Sequence, residues 1–100
     1  MNKFGLYTKF TAHEGQRDTL AGLLLEAAKG MDAVPGCDLY VVNAADGDPN
    51  SVWVTELWND PAAHQASLTL DGAKELIQQA RPLIAGIEQI KLRPLGGKGM

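Results

Sequence analysis

Apolar residues recur at helical spacing in the segment that begins near Gln16. They fall at i, i+3, i+4, i+7, i+8 and i+11, on one face of an α-helix: Leu20, Leu23, Leu24, Ala27, Ala28 and Met31. Pro35 and Gly36 then end the helical pattern. The segment is therefore predicted to be an amphipathic helix that packs one face against a core.

Four segments carry the aromatic and β-branched residues that are typical of strands. They are residues 3–11, Leu39 to Val42 with Asn43, Ser51 to Trp58, and "IEQIKLRPL" near the end of the chain. The six residues "ADGDPN" separate the second and third segments and are rich in turn-forming types. They predict a hairpin between strands two and three.

A second helix is predicted directly after Trp58. Asp60 can cap its first turn, and Pro61 fits the first helical position. The helical pattern weakens at "LDG" and resumes as "AKELIQQA", before Pro82 ends it. The order β-α-β-β-α-β predicts an α+β fold of the ferredoxin-like type, a four-stranded antiparallel sheet with helices on one face. Residues 1–95 are expected to form this single domain and 96–100 a flexible tail.

The central strands are apolar on both faces, because neighbouring residues in a strand point to opposite sides. The opposed sets are Leu39 and Val41 against Tyr40 and Val42, and Val52 and Val54 against Trp53 and Leu57. One layer of helices covers only one face. The pattern therefore favours a homodimer in which the second face packs on the same face of another copy.

Composition narrows the partners and the location. The chain has 100 residues, 45% hydrophobic and 21% charged, which is typical of one globular domain. Its net charge of −3 and scattered basic residues disfavour nucleic acid and membrane partners. Cys37 is the single cysteine, so no intrachain disulfide can form, and it fits a small apolar residue at a strand start. With no signal-like or membrane-spanning apolar run, a cytoplasmic protein is predicted.

Glu56 and His64 are the residues best suited to proton transfer. A carboxylate in a largely apolar strand has to be paired, hydrogen-bonded or shifted in pKa. Glu56 could be a base or an orienter of His64, or a structural partner of Arg81, Lys91 or a second subunit. His64 follows the predicted helix cap, where imidazole could exchange a proton near neutral pH. Alternatively, His64 is half-buried and hydrogen-bonded to backbone or to Glu56.

The two tryptophans are five positions apart, so a regular strand sends them to opposite faces. Trp58 shares a face with Glu56 and is the candidate aromatic wall of a cavity. Trp53 is the candidate interface anchor, and core packing is the alternative for both. Three further residues could hydrogen-bond a planar polar ligand or simply lie at the sheet edge: Asn43, Tyr7 and Tyr40.

Motifs for several large classes of chemistry are missing from the sequence. It contains no G-x-G-x-x-G, no Walker-type loop, no nucleophile elbow and no pair of histidines at metal spacing. The run "PLGGKG" is not followed by a helix that could bind phosphate. The pattern disfavours a nucleotide, a flavin or a catalytic metal.

The stretch "VTELWNDPAAHQASL", with "ARPLIAG" and the element order, resembles the antibiotic biosynthesis monooxygenase domain family, in particular its quinol monooxygenase members. The resemblance covers about residues 3–93 and depends on a recurrent pattern: Glu56, Trp58, Asp60, Ala63, His64, Ser67 and the Arg81-Pro82-Leu83 run. It implies a dimeric α+β barrel, with a pocket between each sheet and its own helices.

The same resemblance implies oxidation of a small quinol or phenol by dioxygen without flavin, haem or metal. His64 would be the base and Glu56 its orienter, while Trp58 would stack on the substrate. Asn43 and Arg81 would contact oxyanions. The haem-degrading branch of the superfamily is disfavoured, because the first strand lacks the required Asn and His64 comes too early.

Two other functions stay open at this point. An isomerase or lyase could use the same pocket for proton transfer without oxygen. A non-catalytic dimeric binding module would retain a ligand and perform no chemistry.

Overall fold

The computed structural model describes residues 3–99. The predicted domain at 1–95 and the predicted tail at 96–100 therefore lie partly outside the described residues, at Met1, Asn2 and Met100, and both stay predictions. The elements follow in the order β1 (Phe4–Ala12), α1 (Arg17–Gly30), β2 (Cys37–Ala44), β3 (Ser51–Trp58), α2 (Pro61–Ser67), α3 (Asp71–Ala80) and β4 (Ile84–Leu92). Single 3-10 turns, Met31–Ala33 and Arg81–Leu83, follow α1 and α3.

The four strands form one antiparallel sheet in the order β2-β3-β1-β4. The hairpin predicted at "ADGDPN" is confirmed, because Ala44 pairs with Val52 across it. The ferredoxin-like α+β prediction is confirmed as well. The core lies between this sheet and the helices, around four buried residues: Ala12, Leu20, Val52 and Ala80.

The second helical segment is two helices, which corrects the predicted order to β-α-β-β-α-α-β. The Ser67 hydroxyl donates to the carbonyl of His64 at 2.6 Å, and the Thr69 hydroxyl donates to that of Ala66 at 2.7 Å. Such side-chain bonds compete with continued helix formation. The chain therefore leaves the helix after Ser67 and starts α3 at Asp71.

The start of α2 has the predicted chemistry. The Asp60 carboxylate accepts from the backbone N–H of Ala63 at 2.7 Å, and Pro61 occupies the first turn. Gly36 packs against this turn with a φ of +85°, and a Cβ there would lie 2.6 Å from the Cβ of Ala63. Only glycine adopts this conformation at little cost and allows so close an approach. The position of α2 over the end of β3 is thus fixed locally.

The sheet has one covered and one open face. Trp58 is 0% exposed on the covered face, together with the buried Leu6 and Val54. Trp53 lies on the open face, where its ring centroid is 5.2 Å from that of Tyr7. The prediction that the two tryptophans face opposite sides is confirmed.

Candidate active site

A cavity of about 1150 Å³ lies between the covered face of the sheet and the helices. Its walls are mostly apolar and include Leu23 and Leu24 from α1, Leu76 and Ile77 from α3, and Ile87 from β4. Known small-molecule sites are similarly concave, apolar and furnished with a few polar groups. Several of its polar groups, Tyr40, Glu56, His64 and Lys91, lie near one end of its floor.

Four side chains of the floor form one row across the sheet. Tyr40 pairs with Glu56, Glu56 pairs with Leu6, and Leu6 pairs with Lys91. All four line the cavity. Because paired residues in an antiparallel sheet project to the same side, the row places a phenol, a carboxyl group and an ammonium group along one line.

The Glu56 carboxyl group is held by the indole of Trp58, whose Nε1 donates to Oε1 at 3.0 Å. The same oxygen lies 3.9 Å from Nε2 of His64. Burial raises the pKa of Glu56 above its ordinary value, and the hydrogen bond from Trp58 opposes this rise. Within residues 3–99, no Lys or Arg forms an ion pair with Glu56, so the structural pairing considered above with Arg81 or Lys91 is not found.

His64 projects from α2 onto this end of the floor. Its ring centroid lies 5.6 Å from that of Phe4 and 5.5 Å from that of Trp58, with the indole nearly edge-on at 66°. Burial lowers the pKa of His64, and the positive charge of Lys91 lowers it further. The imidazole is therefore neutral at neutral pH and can accept a proton, with a carboxyl group beside it.

Tyr40 stands opposite Glu56 on the neighbouring strand. Burial and then the charge of Glu56 raise the pKa of its phenol, which therefore stays protonated at physiological pH. The hydroxyl can donate a hydrogen bond to a ligand in the cavity. Arg81, which follows α3, also lines the cavity.

Trp58 does not line the cavity, contrary to the role expected for it. It is 0% exposed, and the His64 ring of α2 packs against its indole. Its contact with the site is the hydrogen bond to Glu56. In this structure Trp58 therefore holds the Glu56 carboxyl group and is buried away from the cavity.

Two further predicted contacts lie on the other face of the sheet. Tyr7 packs on Trp53, and the Asn43 amide donates to the hydroxyl of Thr55 at 3.3 Å and to the carbonyl of Trp53 at 3.2 Å. Tyr7 and Asn43 lie on the open face because successive residues of a strand point to opposite sides of the sheet. Asn43 is three positions from Tyr40, so both could not enter one pocket, and the sequence already carried that signal.

Phe4, Gln89 and Lys91 are among the lining residues that the sequence did not reveal as ligand contacts. Gln89 donates to the hydroxyl of the buried Thr8 at 3.2 Å, one row away from Lys91. On β4 the polar residues Gln89 and Lys91 face the cavity, whereas Ile90 and Leu92 face outward. At this end of β4 the usual rule that the apolar side of a strand faces the helices is inverted, whereas Ile87 still faces the cavity.

No group of three His, Cys, Asp or Glu side chains in residues 3–99 is placed to hold a metal ion. No helix in the same part of the chain is long and apolar enough to cross a membrane.

The model of the antibiotic biosynthesis monooxygenase family matches residues 4–79. The chain belongs to this family. A solved structure from Chloroflexus aurantiacus, whose protein is named for the same family, is 42% identical, covers 97% of each chain and superposes with a TM-score of 0.88. No protein with a curated functional description matches.

More distant family-like structures show the fold alone. A Caulobacter crescentus protein is 18% identical, covers 95% of this chain and 92% of its own, and has a TM-score of 0.88. SnoaB from Streptomyces nogalater, described as a cofactor-independent oxygenase, is 17% identical, covers 100% of each chain and has a TM-score of 0.85.

Proposed function

We propose that the protein is a cofactor-independent monooxygenase that oxidises a small quinol or phenolic aromatic with dioxygen. One observation supports this most directly. A neutral imidazole and a buried carboxyl group, 3.9 Å apart, lie at the polar end of an otherwise apolar cavity of about 1150 Å³. An apolar cavity accepts an aromatic ring, and the two groups provide a proton acceptor for its hydroxyl.

In the proposed reaction, Nε2 of His64 takes the proton of the substrate hydroxyl. The Glu56 carboxylate stabilises the resulting imidazolium, and Trp58 holds the carboxylate in place. The electron-rich anion then reacts with dioxygen. The aromatic gains one oxygen atom and loses two hydrogen atoms, while the second oxygen atom leaves as water, so the substrate supplies all the electrons.

The family membership supports the reaction class, and the name of SnoaB supports the absence of a cofactor. That name describes SnoaB, which shares the fold with this chain at 17% identity. For this protein, the substrate and the cofactor-free reaction are proposals. A cytoplasmic location likewise stays a prediction.

The deciding experiment is incubation of the purified protein with reduced naphthoquinones and anthrones under air and under nitrogen. Isotopically labelled dioxygen and mass spectrometry report whether one oxygen atom enters the product. We expect oxygen-dependent turnover with one labelled atom incorporated. No turnover across the panel above the rate in buffer contradicts the proposal.

The same experiment separates the other two functions. An isomerase or lyase would convert its substrate equally well under nitrogen. A binding module would retain a ligand through purification, visible by native mass spectrometry, without product under either condition.

We further propose that the open face of the sheet packs on the same face of a second copy. Large apolar side chains on this face remain accessible, with Tyr7 39%, Val41 39% and Ile90 54% exposed. Lys9 and Glu88 are paired on the same face, so a twofold-related copy could meet opposite charges with its own pair. An exposed apolar patch of this kind typically marks an interface.

The association is tested by analytical ultracentrifugation at micromolar concentration. We expect a dimer for the natural chain and for Leu25→Glu, because Leu25 is exposed on α1 away from the sheet. Ile90→Glu should be monomeric and folded. A monomeric natural chain contradicts the dimer.

A further inference from the structure

Lys91 is a cavity residue that the proposed reaction does not yet use. It lies on β4, at the edge of the sheet, and its side chain is exposed yet lines the cavity. None of the ion pairs within residues 3–99 involves Lys91. Its ammonium group is therefore available to a ligand.

The register places Lys91 and Glu56 on either side of Leu6. Adjacent strands are about 4.8 Å apart, so the backbones of Glu56 and Lys91 are separated by about 10 Å. An aromatic ring above Leu6 fits between their side chains. The charge of Lys91 is also close enough to lower the pKa of His64, so it acts on the same end of the cavity.

We propose that Lys91 is a substrate-binding residue whose ammonium group pairs with the ionised hydroxyl of a phenol or quinol lying over Leu6. Lys91 then stabilises the phenolate that forms when His64 takes the proton of the substrate hydroxyl. The identity of the ligand as a phenol rests on the proposed function. Other acidic aromatic ligands of the same charge and size share this chemistry.

Other ionisable groups also line the cavity and contribute to the electrostatic potential that a bound phenolate experiences. They are Glu26 on α1, Tyr40 on β2, Glu56 on β3, His64 on α2 and Arg81 after α3. Arg81 lies before the start of β4, whereas Lys91 lies near its end. Lys91 is thus the cation placed to act at the Glu56 and His64 end of the floor.

The test uses para-nitrophenol, whose two ionisation states differ in colour and whose nitro group protects it from oxidation by dioxygen. Absorbance titration of the complex gives the pKa of the bound phenol. A cation within contact distance lowers the pKa of an acidic group by about 1 unit or more. We expect the bound pKa to be about 1 unit higher in Lys91→Met than in the natural protein, and to be largely restored in Lys91→Arg.

Two controls make the result specific. Lys74→Met removes an exposed lysine of α3 that does not line the cavity and should leave the bound pKa unchanged. Para-nitroanisole, the uncharged methyl ether, should bind Lys91→Met as tightly as the natural protein. Equal loss of both ligands in Lys91→Met would overturn the proposal, because Lys91 would then shape the cavity without recognising charge.

An unchanged bound pKa in Lys91→Met, or no binding of para-nitrophenol by the natural protein, would also overturn it. Failure of the oxygenase function is distinguishable, because para-nitrophenol binding requires no turnover. The expected pKa pattern without oxygen-dependent turnover would refute the oxygenase alone. Turnover together with an unchanged pKa would refute the role of Lys91 alone.

Discussion

The covered and open faces of the sheet are built from the same four strands, yet each face carries side chains that are unusual for its environment. The covered face carries ionisable groups where apolar residues are expected, namely Glu56, Lys91 and the half-buried His64 above them. The open face carries exposed apolar residues where polar ones are expected, such as Val41 and Ile90. A carboxyl group under helices is desolvated, and an apolar side chain in water favours association. The first feature is the basis for the proposed reaction, and the second is the basis for the proposed interface.

The largest expected effect separates the two tryptophans. Trp58→Ala should lower the free energy of unfolding by about 3–5 kcal/mol, because it empties a fully buried site. Trp53→Ala should cost less than half as much, since Trp53 lies on the open face. Urea denaturation in an Ile90→Glu background measures both without the proposed dimer, and Trp58→Phe provides the conservative control. Equal losses would mean that the faces do not differ in burial.

The second effect concerns catalysis on the covered face. His64→Ala should lower kcat/KM for the best quinol substrate by about 100-fold or more, as loss of a general base does. His13→Ala is the matched control, because His13 is exposed in the turn before α1. Initial rates of oxygen consumption report both variants. Full turnover by His64→Ala would show that the imidazole is not the general base of the reaction.

A smaller effect tests how the covered face positions α2. Gly36→Ala forces a residue with a side chain into a φ of +85° and against Ala63, next to His64. The strain should cost about 1–3 kcal/mol of stability and also reduce turnover. Gly22→Ala, inside α1 with open space around it, should instead stabilise the protein by about 0.5–1 kcal/mol. Thermal unfolding compares the two, and opposite signs are the expected outcome.

The smallest effect is a shift in the titration of His64. Burial and Lys91 lower its pKa, so the neutral base persists below the ordinary histidine value of 6.5 and is lost only on further acidification. In Lys91→Met the pKa should rise by less than about one unit, because Lys91 is exposed and screened by salt. NMR titration of the imidazole in both proteins measures this. A downward shift in Lys91→Met would contradict the assigned geometry.

Local features of the fold were predictable from the sequence. The apolar spacing from Leu20 to Met31 produced α1, the cap at Asp60 produced the start of α2, and the β3 limits were those predicted, Ser51 and Trp58. The opposite orientation of Trp53 and Trp58 followed from strand geometry alone. These features depend on periodicity and on backbone chemistry within a few residues, so they can be predicted from the local sequence.

Long-range pairing decided the rest of the site. The row of Tyr40, Glu56, Leu6 and Lys91 depends on the register of four strands, which residues far apart in the chain set together. The burial of Trp58 depends on the helix that packs over it. The orientation of Lys91 into the cavity depends on the pairing of β4 with β1. The sequence alone determined the four strands, the first helix and the Glu56–His64 candidate, but not the division of the second helical segment into α2 and α3. The tertiary structure determined which side chains of different strands lie side by side, because the hydrophobic pattern fixes the two-residue period within a strand but not the register between strands.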